Sequence, residues 1–209
     1  MVLAHPNLEL AKEEFADLTG CMPANGGPHL GGGTHNALAS LGESVYIELI
    51  SPDPGQMDSQ GQATGQLAAR LAAYEGSQLL AWAIRSNDLI GLSNGLSGLE
   101  AAHPFDMSRK QPNGHILHWK LMSLTNHELR GFAPFFIDWL DCPHPATANP
   151  VAGQFESLEV MHSNAALGEL VATIDGVEFQ RGPPSFTLRF NAERGPVVLG
   201  SDKLEGFWP

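Results

Sequence analysis

The sequence has 209 residues, 43% of them hydrophobic, which is enough chain to bury a full core without disulfides or a structural metal. Its net charge of −12, from 11 Lys and Arg against 23 Asp and Glu, offers no basic patch, so neither nucleic acid nor an anionic membrane surface is an expected partner. Cys21 and Cys142 lie far apart in no CxxC spacing. The first residues lack a basic n-region and a long apolar h-region, and no apolar run reaches the roughly 18 residues of a membrane helix, so the expectation is a cytoplasmic protein.

Residues 2–8 read as a short apolar strand ending in a polar turn at Asn7, an N-cap for a helix. Leu8, Ala11, Phe15 and Leu18 mark that helix's core face, and Gly20 can end it in the left-handed conformation. A short irregular strand is expected within residues 22–33. Two better strands follow, 34–41 and 44–51, joined at Gly42-Glu43. Residues 52–77 begin as a loop rich in Pro, Gly and Gln and then predict a helix over 65–75, with Leu67, Leu71 and Tyr74 on one face.

The same pattern then returns twice, as expected of an internal repeat. Residues 82–89 form a strand and turn, and Leu89, Leu92, Leu96 and Leu99 give a helical stripe. An irregular strand is expected within 103–114, and strands over 115–124 and 135–140. A Pro- and Ala-rich linker, 141–154, leads to a third strand and turn at Val160–Ala165. Its helix carries Leu167, Leu170, Val171 and Ile174, and strands follow over 177–180, 185–190 and 196–199. The division is therefore unit one (1–54), a connector with a helix (55–77), unit two (78–140), a linker (141–154) and unit three (155–209). The fold class is α+β, built from tandem βαβββ units.

The βαβββ pattern resembles the module of the vicinal-oxygen-chelate superfamily, in which two modules form one cleft. The block Gly26-Gly27-Pro28-His29, Gly31-Gly32-Gly33-Thr34-His35-Asn36-Ala37-Leu38 and Tyr46-Ile47-Glu48-Leu49-Ile50-Ser51-Pro52-Asp53-Pro54 is similar to the glyoxalase-like domain family, as is Pro134–Trp139 followed by His144-Pro145. The resemblance implies a cleft between units one and two, with unit three packing on that pair or pairing with unit three of a second chain as a homodimer. It also implies a small oxygenated substrate held through neighbouring oxygens by a divalent metal (Zn, Ni, Mn or Fe), with a carboxylate moving a proton, as in a lyase, isomerase or dioxygenase. Relatives usually place a first metal-ligating His just before the segment matching Met1 to Ala4, and the sequence does not include that position. Alternatives are a metal-free, non-catalytic binding protein of the antibiotic-sequestering kind, or a degenerate assembly domain.

Glu48 and Asp138 each interrupt an apolar strand, where a carboxylate needs compensation if it is buried. Glu48 matches the position of the superfamily's metal-binding or proton-transferring Glu, and Asp138 is its repeat partner. The alignment that places Leu38 on Leu121 puts His35 on His118 and Asn36 on Trp119. These four side chains, Glu48, Asp138, His35 and His118, could form a metal site if they share a face. Thr34 and Asn36 alternate with His35, so either they or His35 face the cleft. With His29 in the Gly-rich loop and Trp119, they are the candidate substrate contacts. The glycines match neither GxGxxG nor a P-loop, and no nucleophile motif is present.

Overall fold

The structure, a computed structural model, describes residues 1–207. Its first sheet contains β1 (Val2–Ala4), β2 (Ala24–Pro28), β3 (Thr34–Ser40), β4 (Tyr46–Pro52) and β5 (Gln78–Ala81), in the order β2-β3-β4-β1-β5. The second contains β6 (Ala83–Arg85), β7 (Phe105–Lys110), β8 (Ile116–Met122) and β9 (Phe135–Asp138), ordered β6-β9-β8-β7. In both sheets the strand that opens the pattern lies parallel to the strand that closes it, β1 beside β4 and β6 beside β9.

The two sheets wrap around a common interior. At one seam β5 runs into β6 through Trp82, which is buried and donates from Nε1 to the Phe132 carbonyl at 2.9 Å. At the other seam β2 meets β7, with a bridge between His29 and Arg109 and a bond from the Leu30 amide to the Ser108 carbonyl. Glycine is required there. Gly27 has φ 115°, and a Cβ on it would sit 2.0 Å from the Lys110 carbonyl oxygen.

The helices start where the sequence caps them. α1 (Leu8–Thr19) begins as the Asn7 side chain accepts from the Leu10 amide and ends on Gly20 at φ 84°. α3 (Leu89–Gly95) and α4 (Ala165–Val171) begin in the same way at Asp88 and Asn164. Their ends differ from expectation: Leu96, Leu99 and Ile174 lie past the last helical turn. The connector helix α2 (Gln66–Leu71) is shorter than expected at its C-terminal end, where the chain passes into turns as the Ala73 and Tyr74 amides bond the Arg70 and Leu71 carbonyls, each at 3.1 Å.

The third sheet, β10 (Gly153–Met161), β11 (Val177–Gln180), β12 (Ser185–Ala192) and β13 (Gly195–Ser201), has the order β11-β10-β12-β13. Its element sequence matches the other two, but here the opening strand pairs in parallel with the strand that follows its helix. This sheet packs on the rest of the same chain. Leu158, Val160, Phe186, Leu188 and Phe190 share one core with Leu8, Phe15, Ala37 and Trp82. The preceding linker is laced to the end of β3, with Ser40 N to Pro150 O at 2.7 Å and Ala152 N to Ser40 O at 2.8 Å, and β10 continues the contact with Phe155 N to Leu41 O at 2.9 Å.

Candidate functional site

Strand alternation decides what faces the interior between the first two sheets. On β3, Thr34, Asn36 and Leu38 point inward, while Ala37 and Ala39 join the core on the far side. On β4 the inward set is Tyr46, Glu48 and Ile50; on β7 it is Phe105, Met107 and Arg109; on β8, Trp119 and Leu121; on β9, Phe135 and Ile137. Together with Trp139 and Phe207 they line a cavity of about 390 Å³. Its walls are mostly apolar and aromatic, and its polar groups gather at the β2–β7 seam.

That polar corner is one connected network. Asn36 Nδ2 donates to Glu48 Oε1 at 2.6 Å and lies 3.2 Å from His29 Nε2. Asn36 Oδ1 accepts from Arg109 Nη1 at 2.9 Å. His29 Nδ1 meets Thr34 Oγ1 at 2.9 Å, and His29 Nε2 stands 3.6 Å from Glu48 Oε1. Gly26 makes the arrangement sterically possible, because a Cβ there would fall 2.1 Å from both Arg109 Nη1 and Asn36 Oδ1.

Burial sets the electrostatics. Arg109 is 5% exposed, and its Nε has no hydrogen-bond partner. Desolvation lowers its pKa, opposed by the nearby Glu48, so the corner encloses a guanidinium whose charge is only partly answered. Desolvation also holds the His29 imidazole below its ordinary range, against the pull of Glu48. A neutral His29 accepts from Asn36 at Nε2 and donates from Nδ1 to Thr34. The Tyr46 hydroxyl is pushed above its usual range by burial and by Glu48, so it remains an O–H donor.

The residues singled out in the sequence separate into two groups. Glu48, Thr34, Asn36, His29 and Trp119 all line the cavity. His35, His118 and Asp138 are not brought to Glu48, and the reason is strand parity. His35 alternates with Thr34 and Asn36 and lies toward α1, within the electrostatic reach of Glu9 and Lys12. His118 alternates with Trp119 and is exposed. Asp138 alternates with Ile137, pairs in register with Lys120 and accepts from the Leu140 amide at 2.9 Å. The four-residue cluster of two His and two carboxylates therefore does not assemble.

The metal-ligating side chains at the corner are Glu48 and His29, and among the described residues no group of three or more His, Cys, Asp or Glu is placed to hold a metal ion. With the Arg109 cation sharing the corner, this donor set does not fit a divalent metal held by three protein ligands. Arg109 and Tyr46 are the functional candidates that sequence reasoning missed. The available signal was the alternation Phe105, Met107, Arg109 in a stretch expected only to be irregular.

Residues 1–174 match the family described as glyoxalase-like domain. The chain belongs to the glyoxalase-like domain family. Among solved structures, a hypothetical protein from Staphylococcus aureus is similar at a TM-score of 0.60 and 17% identity, over 98% of this chain and 84% of that one. The likeness extends the shared fold across all three sheets. Methylmalonyl-CoA epimerase from Mycobacterium tuberculosis is similar at a TM-score of 0.46 and 17% identity, over 66% of this chain and 83% of that one. No functionally curated protein matches the sequence. No helix among the described residues is long and apolar enough to cross a membrane.

Proposed function

We propose that this glyoxalase-like chain is an enzyme that moves a proton on a small oxygenated anion bound in the cavity between the first two sheets. The observation that carries the reading is the buried Arg109–Asn36–Glu48–His29 network set into an otherwise apolar chamber. A carboxylate or enolate oxygen of the ligand would face the Arg109 guanidinium, whose attraction is strengthened by the exclusion of water. Glu48 would take the proton from a carbon next to a carbonyl. Asn36, clamped by Arg109 at its oxygen, fixes the Glu48 carboxylate through its amide. Neutral His29 would hold or return the proton at Nε2, and the Tyr46 hydroxyl would donate to the developing oxyanion. No step is routed through a metal, because the corner offers two ligands and a neighbouring cation.

The test is solvent deuterium incorporation at the acidic C–H of a panel of small 2-oxo carboxylates and 2-oxoaldehydes, followed by NMR in chelator-treated buffer. The expected result is accelerated exchange by the wild-type protein and a loss of about 100-fold or more in Glu48→Gln. Equal rates in the two proteins contradict the assignment of Glu48. A rate that chelation abolishes and a divalent ion restores contradicts the metal-free reading.

A second reading, a non-catalytic binding protein, is favoured by the aromatic walls, where Trp119 and Trp139 lie 5.4 Å apart and Tyr46 meets Trp139 at 6.3 Å. It predicts saturable binding that survives Glu48→Gln, with no exchange in either protein.

A further inference from the structure

A second cavity, of about 370 Å³, adjoins the first. It is lined by Arg70, Asn126, His127 and Arg130 and by the segment that follows β13. Among the described residues, two side chains line both cavities: Phe135 of β9 and Phe207. Their rings meet edge to face with centroids 5.0 Å apart.

The segment carrying Phe207 is built into the first two sheets although it leaves the third. Leu204 is 1% exposed. Its carbonyl accepts from the Gly131 amide at 2.9 Å, and the Gly206 amide donates to the Leu80 carbonyl at 2.9 Å. Arg70 donates to the Gly206 carbonyl and stands 3.7 Å from the Glu205 carboxylate, which also accepts from the Tyr74 hydroxyl at 2.8 Å. Gly131 has no side chain where a Cβ would lie 2.5 Å from the Leu80 oxygen and 2.7 Å from the Gly206 nitrogen, so the passage for the segment depends on it.

We infer that Phe207, delivered by this strap from the third unit, is the specificity-determining wall that limits the length of a ligand bound in the first cavity. The third unit then contributes to the cavity a boundary that the first two units do not supply. A ligand whose polar head sits at Arg109 must end at the Phe135–Phe207 pair. Shortening Phe207 joins the two chambers and lets an apolar chain continue toward Arg130 and His127. The inference concerns the cavity of the proposed reaction and depends on that reading only for the charged probes below.

The experiment measures binding by tryptophan fluorescence for two series, linear 2-oxo carboxylates and neutral linear alcohols, with wild type, Phe207→Ala and Phe207→Trp, each verified as folded by circular dichroism. In wild type, affinity should rise about fourfold per added methylene and then level off at a limiting chain length. Phe207→Ala should move that limit to longer chains in both series, and Phe207→Trp should move it to shorter ones, with the shortest members unchanged. The same limit in all three proteins overturns the inference, as does failure of every alcohol to bind. If the alcohols show the shifted limit but no carboxylate binds, the wall stands and the assignment of the Arg109 corner fails.

Discussion

Asn36 is the residue on which the polar corner turns, since one amide side chain meets Glu48, His29 and Arg109 at once. Its candidacy was legible from the alternation with His35, but the choice of face was not. Ala37 and Ala39 on one side and Leu38 on the other leave β3 apolar on both faces. The same ambiguity hid which face Asp138 takes, because Phe135, Phe136 and Ile137 are all buried. Arg109 escaped notice because its value depends on Gly26, a residue distant in sequence that faces it only across the β2–β7 seam. Gly26→Ala should therefore displace the guanidinium, costing about 1–3 kcal/mol by chemical denaturation and weakening binding of any anion at the corner; wild-type stability in that variant would mean the seam has room that the geometry denies. His29 makes a second residue-scale prediction. Its folded pKa lies below the ordinary 6.5, so the unfolded chain binds more protons as pH falls through that value, and stability drops toward the lower folded pKa. The slope is at most about 1.4 kcal/mol per pH unit for each such group. Burial shifts His35, His144 and His162 the same way, so His29→Gln should remove part of the slope between pH 6.5 and more acidic values, not all of it. An unaltered slope would show that His29 is not held neutral.

At the scale of elements, the helix starts were the most legible features, because a cap is a local device. Asn7, Asp88 and Asn164 each accept from the amide three residues on, at 3.1, 2.8 and 2.9 Å. In addition, the residue two before each cap accepts the cap's own amide: His5 at 2.8 Å, Ser86 at 3.2 Å and His162 at 3.1 Å. This repeated turn gives His5 and His162 a structural role. Asn7→Ala and Asn164→Ala should each cost about 1 kcal/mol in thermal or chemical denaturation, without altering ligand binding, since neither lines the cavity. A loss of binding equal to that of a corner variant would contradict the separation of cap and site. Helix ends were less legible. Leu96, Leu99 and Ile174 keep helical spacing in sequence while the chain has already turned away, and spacing alone cannot report where backbone bonding stops. The break at Trp82, which sends β5 and β6 into different sheets, has no local signal either; it follows from a tryptophan drawn into the core and bonded to Phe132.

At the scale of the whole molecule, the element sequence βαβββ was readable three times because it depends on local periodicity and turn chemistry. The order of strands within a sheet depends on contacts between distant residues, and there the third copy departs from the first two. The first two sheets enclose the cavity by meeting at two seams, one covalent through Trp82 and one made by glycines that let β2 approach β7. The third sheet shares one core with the buried face of α1 and the far face of β3 and sends its strap to the cavity wall. The central claim is that the seam-side corner of this enclosed cavity is where a small oxygenated anion binds. Its most direct test is NMR of the Arg109 Nε–H and His29 ring signals during titration with a short 2-oxo carboxylate such as pyruvate. Saturable shifts of both signals, lost for His29 when Arg109 is replaced by Gln, are the predicted result. Shifts confined to residues outside the cavity, or none at saturating ligand, would contradict it.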